Sequence, residues 1–230
     1  MDKQKQWIYH VAQMGHELRT PLNAIKGFSE VLDSELIGTL NEKQKKYIEK
    51  ILFSSEHLLT IINQILEWAK LSTGETTLQK SHVALYPLCI SVISIQEMTL
   101  SEKNVQVIYD LPKDLEVYVD QRKFNQVLIN IIYNAIKFSK PNTTITLKYD
   151  EQDQYHCLSV IDQGCGIEQH LLKEIFLPFN QSSKRLDDTK SSGLGLWISK
   201  VIMEAHQGNI EVSSVLGEGS TFTIKILKQV

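Results

Sequence analysis

Apolar positions in the first third of the chain recur at spacings of three, four and seven residues. Val11, Leu18, Leu22, Ile25 and Leu32 form one such stripe, the mark of an amphipathic helix. The pattern predicts one long helix from about Asp2 to Ile37, with Pro21 inside it. A proline there removes the hydrogen bond to the carbonyl of Glu17 and predicts a bend. Gly38-Thr39-Leu40-Asn41 reads as a short turn, with Asn41 as N-cap of a second helix from Glu42 to about Leu71. In that helix Ile48, Ser55, Ile62 and Ala69 stand seven apart, interleaved with Ile51, Leu58, Ile65 and with Leu52, Leu59, Leu66. This stripe is wider than a two-stranded seam needs and suits a four-helix bundle. A hairpin alone cannot cover both stripes, so pairing of two copies as a homodimer is the simplest closure.

The polar run Ser72 to Thr77 breaks the pattern and marks a hinge. The expected organisation is a helical domain over 1–73, a hinge over 74–81 and a second domain over 82–230. There the chain predicts a helix from Val83 to Glu102, strands at Val105–Tyr109 and Glu116–Asp120, and a strong helix from about Gln121 to Phe138. Strands at Thr144–Tyr149 and His156–Asp162 flank the polar turn Glu151 to Gln154. Helical segments at His170–Ile175 and Leu194–His206 follow, and Asn209–Ser214 with Ser220–Leu227 close the chain as a hairpin turning at Gly217-Glu218-Gly219. Strands and helices mix without regular βαβ alternation. The expected class is α+β, a helical hairpin followed by an α/β sandwich with helices on one face.

Composition narrows the function classes. A formal charge of −3 without a basic block argues against nucleic acid as partner. Nothing approaches the roughly eighteen consecutive apolar residues of a membrane span, and no charged-then-apolar leader opens the chain. The segment is therefore expected to be soluble and cytoplasmic, without membrane contact of its own. Cys89, Cys157 and Cys165 are scattered, with no CxxC spacing, which points to a reducing compartment and to neither a disulfide framework nor a zinc site.

Four groups of residues could carry chemistry. His16 falls about 140° from the centre of the first stripe and Thr20 about 40° from His16, at roughly 100° per residue. Both therefore share the solvent side, beside the carbonyl that Pro21 frees; alone, such a histidine is more often a solvated surface residue. Asp162-Gln163-Gly164-Cys165-Gly166-Ile167 leaves a strand with glycines that let backbone approach a flat ligand, and its Asp can accept from an amino group. A calcium-like turn or an ordinary loop has the same pattern. Ser192-Gly193-Leu194-Gly195-Leu196 opens a helix whose N–H groups can face phosphate, or it is a plain cap. It is not a P-loop, since no Lys-Ser or Lys-Thr pair follows. Asn130, Asn134 and Lys137 share one helix face, able to hold a magnesium ion and the triphosphate it bridges, or simply polar surface.

Taken together these stretches are far more specific. Gly15-His16-Glu17-Leu18-Arg19-Thr20-Pro21-Leu22 closely resembles the phospho-accepting H-box of two-component sensor histidine kinases. Asn130 to Phe138 resembles their N-box, Asp162 to Ile167 the G1 box, Ile175-Phe176-Leu177-Pro178-Phe179 the F-box, and Ser192 to Leu196 the G2 box, in the family's order. The resemblance spans nearly the whole chain. It implies a dimerisation and histidine-phosphotransfer hairpin followed by an ATP-binding domain of the GHKL (Bergerat) type. By resemblance His16 is the phospho-acceptor, Glu17 its base, and Thr20 the residue that places a hydrolytic water. Asn134 and Asn130 take Mg²⁺, Lys137 the phosphates, and Asp162 the adenine amino group. Phe138, Gly164, Gly166, Ile167, Phe179, Ser192, Leu194 and Leu196 line the ATP site. Gly193 and Gly195 hinge a lid spanning about Asn180 to Ser192. The implied partners are a second copy of the chain and a response-regulator receiver domain.

Three departures stand out. Gly15 replaces the family's usual Ser and should loosen the helix before His16. Ser191 stands where the G2 box often begins with Gly, which should stiffen the lid. Cys165 is small enough for the G1 box, and a thiol of lowered pKa there would be open to oxidation. Two other classes remain: a silent scaffold that dimerises without ATP turnover, and an ATPase clamp with His16 incidental.

Overall fold

The computed structural model describes residues 3–72, 78–178, 180 and 193–229; the side chains of residues 3–14, 16, 57, 64 and 67–72 lie outside that description. The chain forms two compact units, Met1–Thr76 and Thr77–Val230.

The first unit is a hairpin of α1 (Lys3–Asp33) and α2 (Glu42–Ser72). Helix α1 continues through Pro21 and stops four residues short of the predicted Ile37, because the chain turns with Glu35 in the left-handed region (φ 56°). Asn41 caps α2 as the sequence predicts. Its Oδ1 accepts from the Gln44 amide at 3.0 Å, and Gln44 Oε1 accepts from the Asn41 amide at 2.9 Å. This reciprocal pair is a capping box. The helices run antiparallel: Arg19 Nη2 donates to Asn63 Oδ1 at 2.7 Å, Lys26 pairs with Glu56 at 2.9 Å, and Lys45 pairs with Glu35 at 2.8 Å.

The seam between them uses only part of the predicted stripes. Among the described side chains, the buried positions of α1 are Gly15 and Ser29, with half-buried Leu22 midway. Among the described side chains of α2 they are Ile48, Ser55, Ile62 and Leu66. A Cβ at Gly15 would lie 2.5 Å from Leu66 Cδ2, so glycine lets the second helix come close beside His16. Leu18, Ile25 and Leu32, expected in one stripe with Leu22, are exposed instead, as are Ile51 and Leu58 of α2. Small residues of α1 meet Ile48, Ser55, Ile62 and Leu66 of α2, while other large apolar residues of both helices face outward.

The second unit comprises β1 (Ser81–Ala84), α3 (Leu85–Ser94), α4 (Glu97–Lys103), β2 (Gln106–Asp110), β3 (Glu116–Val119), α5 (Gln121–Phe138), β4 (Thr144–Gln152), β5 (Tyr155–Asp162), α6 (Gly195–Ala205), β6 (Asn209–Val215) and β7 (Gly219–Leu227). The single helix expected over Val83–Glu102 is corrected to a strand and two helices. Only Val83 of β1 is buried, and the strand forms by pairing with distant β3, a tertiary demand that overrides local propensity. The helix expected at His170–Ile175 is a short 3₁₀ turn, Gln169–Leu171. The main sheet has the order β2-β4-β5-β7-β6, with β2 parallel to β4 and the other pairs antiparallel. Leu147, Val160 and Phe222 lie opposite one another across β4, β5 and β7 and are buried on one face. Helix α5 packs on β5, α6 on β6 and β7, and α3 on α5. This is a mixed α+β fold.

Candidate functional site

Helix α5 is amphipathic by design of its sequence. Phe124, Leu128, Ile131, Ile132 and Ile136 are almost wholly buried, which leaves half-buried Asn130, Asn134 and Lys137 on the neighbouring face. Asn130 Nδ2 donates to the Gly195 carbonyl at 3.1 Å and to Ser199 Oγ at 3.2 Å, and Ser199 Oγ donates to the same carbonyl at 2.9 Å. The amide nitrogen is thus fixed toward α6, and neither bond uses Oδ1. A Cβ at Gly195 would sit 3.4 Å from Asn130 Cγ, so the first residue of α6 lies directly against α5.

Asp162 ends β5 and is 6% exposed. Its Oδ1 accepts from the Gly164 amide at 2.8 Å and from the Ser220 amide at 3.3 Å, and Oδ2 takes no part in these bonds. Burial raises its carboxyl above the ordinary value, while the two backbone donors oppose that rise. Gly164 bridges to Ser139 just past α5, and a Cβ there would approach the Phe138 carbonyl to 2.6 Å. Gly166 has φ 67° and faces the Val215 carbonyl, which a Cβ would strike, so both features demand glycine. The turn between β6 and β7 braces this loop: Ser214 Oγ accepts from the Ile167 amide at 2.8 Å, and the Gly217 amide donates to the Cys165 carbonyl at 2.7 Å. Lys140 Nζ adds a bond to the Gly217 carbonyl at 2.7 Å.

The fold therefore gathers three of the stretches singled out in the sequence: the Asn130/Asn134/Lys137 face with Phe138, the Asp162–Ile167 loop, and the start of α6 with Gly193, buried Leu194, Gly195 and half-buried Leu196. Lys137 Nζ stands 5.1 Å from the Phe138 ring centroid. In the F-box stretch Ile175 is buried, and the Phe176 ring takes Lys200 Nζ at 5.6 Å. Phe179, Ser191, Ser192 and the lid over 181–190 lie outside the described residues, as does the side chain of His16. The backbone of His16 is helical in α1, and Glu17 and Thr20 are exposed; these three belong to the first unit.

Sequence reasoning missed the supports. Lys103 Nζ donates to the carbonyls of Ile136 at 2.9 Å and Lys137 at 2.6 Å, holding the end of α5 where Lys137 and Phe138 emerge. Burial, and secondarily the Lys137 charge, lower its pKa. A lysine closing α4 gives no sign of a contact with α5 so far along the chain. Ser199 and Ser214 read as ordinary polar positions for the same reason.

Residues 8–74 match the family described as His Kinase A (phospho-acceptor) domain, and residues 119–230 match Histidine kinase-, DNA gyrase B-, and HSP90-like ATPase. This chain belongs to the histidine kinase family. It is similar to the circadian input-output histidine kinase CikA of Synechococcus elongatus, 36% identical over 228 residues that cover 95% of this chain and 30% of that protein. Autoinducer 2 sensor kinase/phosphatase LuxQ of Vibrio vulnificus is 34% identical over 224 residues, covering 94% of this chain and 26% of that one. The crystal structure of ShkA full-length in complex with AMPPNP superposes with a TM-score of 0.79 at 26% identity, covering 96% of this chain and 47% of that chain. The histidine kinase core described here thus spans less than a third of the length of those two relatives. Among the described residues no helix is long and apolar enough to cross a membrane.

Proposed function

We propose that this chain is the core of a sensor histidine kinase, which phosphorylates its own His16 from ATP and passes the phosphoryl group to an aspartate of a response-regulator receiver domain. The observation that carries this reading is the assembly of the α5 amide face, the buried Asp162 and the glycine start of α6 into one site, in a chain that also carries the H-box hairpin. Residues 1–73 would act as the phosphotransfer domain, 74–81 as hinge and 82–230 as the ATP-binding domain.

Each residue's part follows from its chemistry. Asp162 Oδ2 accepts from the adenine amino group. Gly164, Gly166 and Ile167 let the loop approach the base, with Phe138 beside it, and the F-box resemblance gives Phe179 a part in the same site. Gly193 and Gly195, with Ser192, Leu194 and Leu196, bring the α6 N-terminus toward the phosphates, and Lys137 adds a cation. A neutral His16 ring nitrogen attacks the γ-phosphorus, the bond to the bridging β–γ oxygen breaks, and ADP leaves. Glu17 accepts the proton from the other ring nitrogen. Magnesium fits this donor set, because Asn130 and Asn134 offer hard amide oxygens beside the phosphate site. Among the described residues no cluster of three or more His, Cys, Asp or Glu offers an alternative metal site. When bound, the ion neutralises phosphate charge. The outward Leu18, Ile25, Ile51 and Leu58 are the surface through which two copies pair. ATP and a receiver domain as substrates put the segment in the cytoplasm.

The test is incubation with γ-labelled ATP. Acid-labile, base-stable label on the protein supports the kinase reading. A silent scaffold gives no label, and an ATPase clamp releases phosphate without labelling the chain. A second activity, removal of phosphate from the regulator, is favoured by Thr20, exposed one turn beyond His16. Thr20→Ala should spare labelling of the kinase and slow loss of label from a regulator's aspartate. Equal loss of both activities would show a single undivided site.

A further inference from the structure

Asp120 lies between β3 and α5, away from the ATP site, and both of its carboxylate oxygens accept backbone donors from different segments. Oδ1 accepts from the Lys123 amide at 3.1 Å, as an N-cap for α5. Oδ2 accepts from the Gln79 amide at 3.0 Å, and Gln79 lies in the opening segment of the second unit, which begins at Thr77. The Asp120 amide in turn donates to Nε2 of buried His206 at 2.9 Å. His206 Nδ1 bonds the Ile202 carbonyl at 2.8 Å. A carbonyl only accepts, so Nδ1 carries the proton and Nε2 is left to receive the Asp120 amide. One residue therefore ties the first turn of α5, the end of α6 and the opening segment into a single node.

A helix cap needs only one of those oxygens. The second fastens the stretch through which the ATP-binding unit joins the unit bearing His16. We infer that the Asp120 carboxylate is a tether and a positioning residue for autophosphorylation: by pinning Gln79 it limits the configurations open to the ATP-binding unit and raises the share in which the γ-phosphate meets His16. The inference rests on the kinase reading above. A loosened attachment enlarges the search before an in-line geometry is reached, and misplacement far from the chemistry can cost up to about a hundredfold in rate.

Two substitutions cut the tether from opposite sides in the full chain. Asp120→Asn keeps one oxygen for Lys123 and, with Asn as good a cap as Asp, loses the acceptor for Gln79. Gln79→Pro removes the donor and leaves Asp120 intact. The expected result is an autophosphorylation rate at saturating ATP at least about fivefold lower in each variant, with affinity for a non-hydrolysable ATP analogue within about twofold of wild type. The double variant should be no slower than the slower single variant. Amide hydrogen exchange at Gln79 should accelerate in Asp120→Asn, a readout independent of catalysis. Full labelling rates in both variants, a parallel loss of ATP affinity, multiplying effects in the double variant, or unchanged exchange at Gln79 would each overturn the tether. If the wild-type chain takes no label, the kinase reading fails instead, and the exchange measurement still decides whether Asp120 holds the segment.

Discussion

In the proposed reading Asp162 serves both structure and ligand. Its Oδ1 is committed to two backbone donors. In Asp162→Asn the amide oxygen would keep those donors, which turns the NH₂ group toward the position given to the adenine amino group, donor against donor. ATP binding should weaken by about 1.5–3 kcal/mol, roughly ten- to a hundredfold in Kd. Burial raises the Asp162 carboxyl, so its charge costs stability at neutral pH, and the variant should melt no lower than wild type. A calorimetric Kd that stays unchanged would remove Asp162 from the site. His206 makes the opposite case, because burial, followed by smaller effects such as the Lys80 charge, lowers its pKa, against Asp120 and the Ile202 carbonyl bond. The native ring resists protonation below about pH 6.5, where the unfolded ring takes a proton. Its contribution is thus complete above that value and is lost as pH falls toward the lowered folded value. Between about pH 7.5 and about pH 5.5, His206→Gln should lose less Tm than wild type; equal losses would assign the acid sensitivity elsewhere. The glycines were readable as positions of close backbone approach, which the structure has against the Phe138 and Val215 carbonyls. Lys103, Ser199 and His206 were not, since each acts on a carbonyl or amide distant in sequence.

Among the elements, α5 was the most legible, because its 3.6-residue apolar pattern points to the boundaries Gln121 and Phe138 that the structure has. The stretch after the hinge was the least legible. Val83 suits a helix or a strand equally, and only its pairing partner in β3 decides. In the hairpin the spacing identified both helices and placed Ile48, Ser55 and Ile62 in one line, but it did not single out Gly15 and Ser29, small residues that an apolar pattern passes over. The outward apolar residues make a checkable claim. Ile51 and Leu58 are exposed while Ile48, Ser55 and Ile62 carry the α1 contact. Ile51→Glu with Leu58→Glu should give a monomer by sedimentation, with helix content retained, since a charge buried in a dimer core is costly. A dimer that persists unchanged would move the interface to another face.

At the scale of the whole molecule, the two units divide the chemistry. In the proposed reading one unit carries the nucleophile His16, and the other holds the nucleotide between α5, the Asp162 loop and the start of α6. The division was legible because the polar run Ser72 to Thr77 separates two kinds of periodicity. What no local pattern carries is the attachment of the opening segment to Asp120, which only the folded chain brings together. The central claim is that phosphate taken from ATP in one unit ends on His16 in the other. The most direct test is to map the phosphorylated residue by mass spectrometry at alkaline pH, alongside His16→Gln, with binding of an ATP analogue measured for both proteins. The account predicts phosphate on His16 alone, none on the His16→Gln chain, and analogue affinity equal in the two within about twofold. Phosphate on a different residue, or label persisting in His16→Gln, would contradict it.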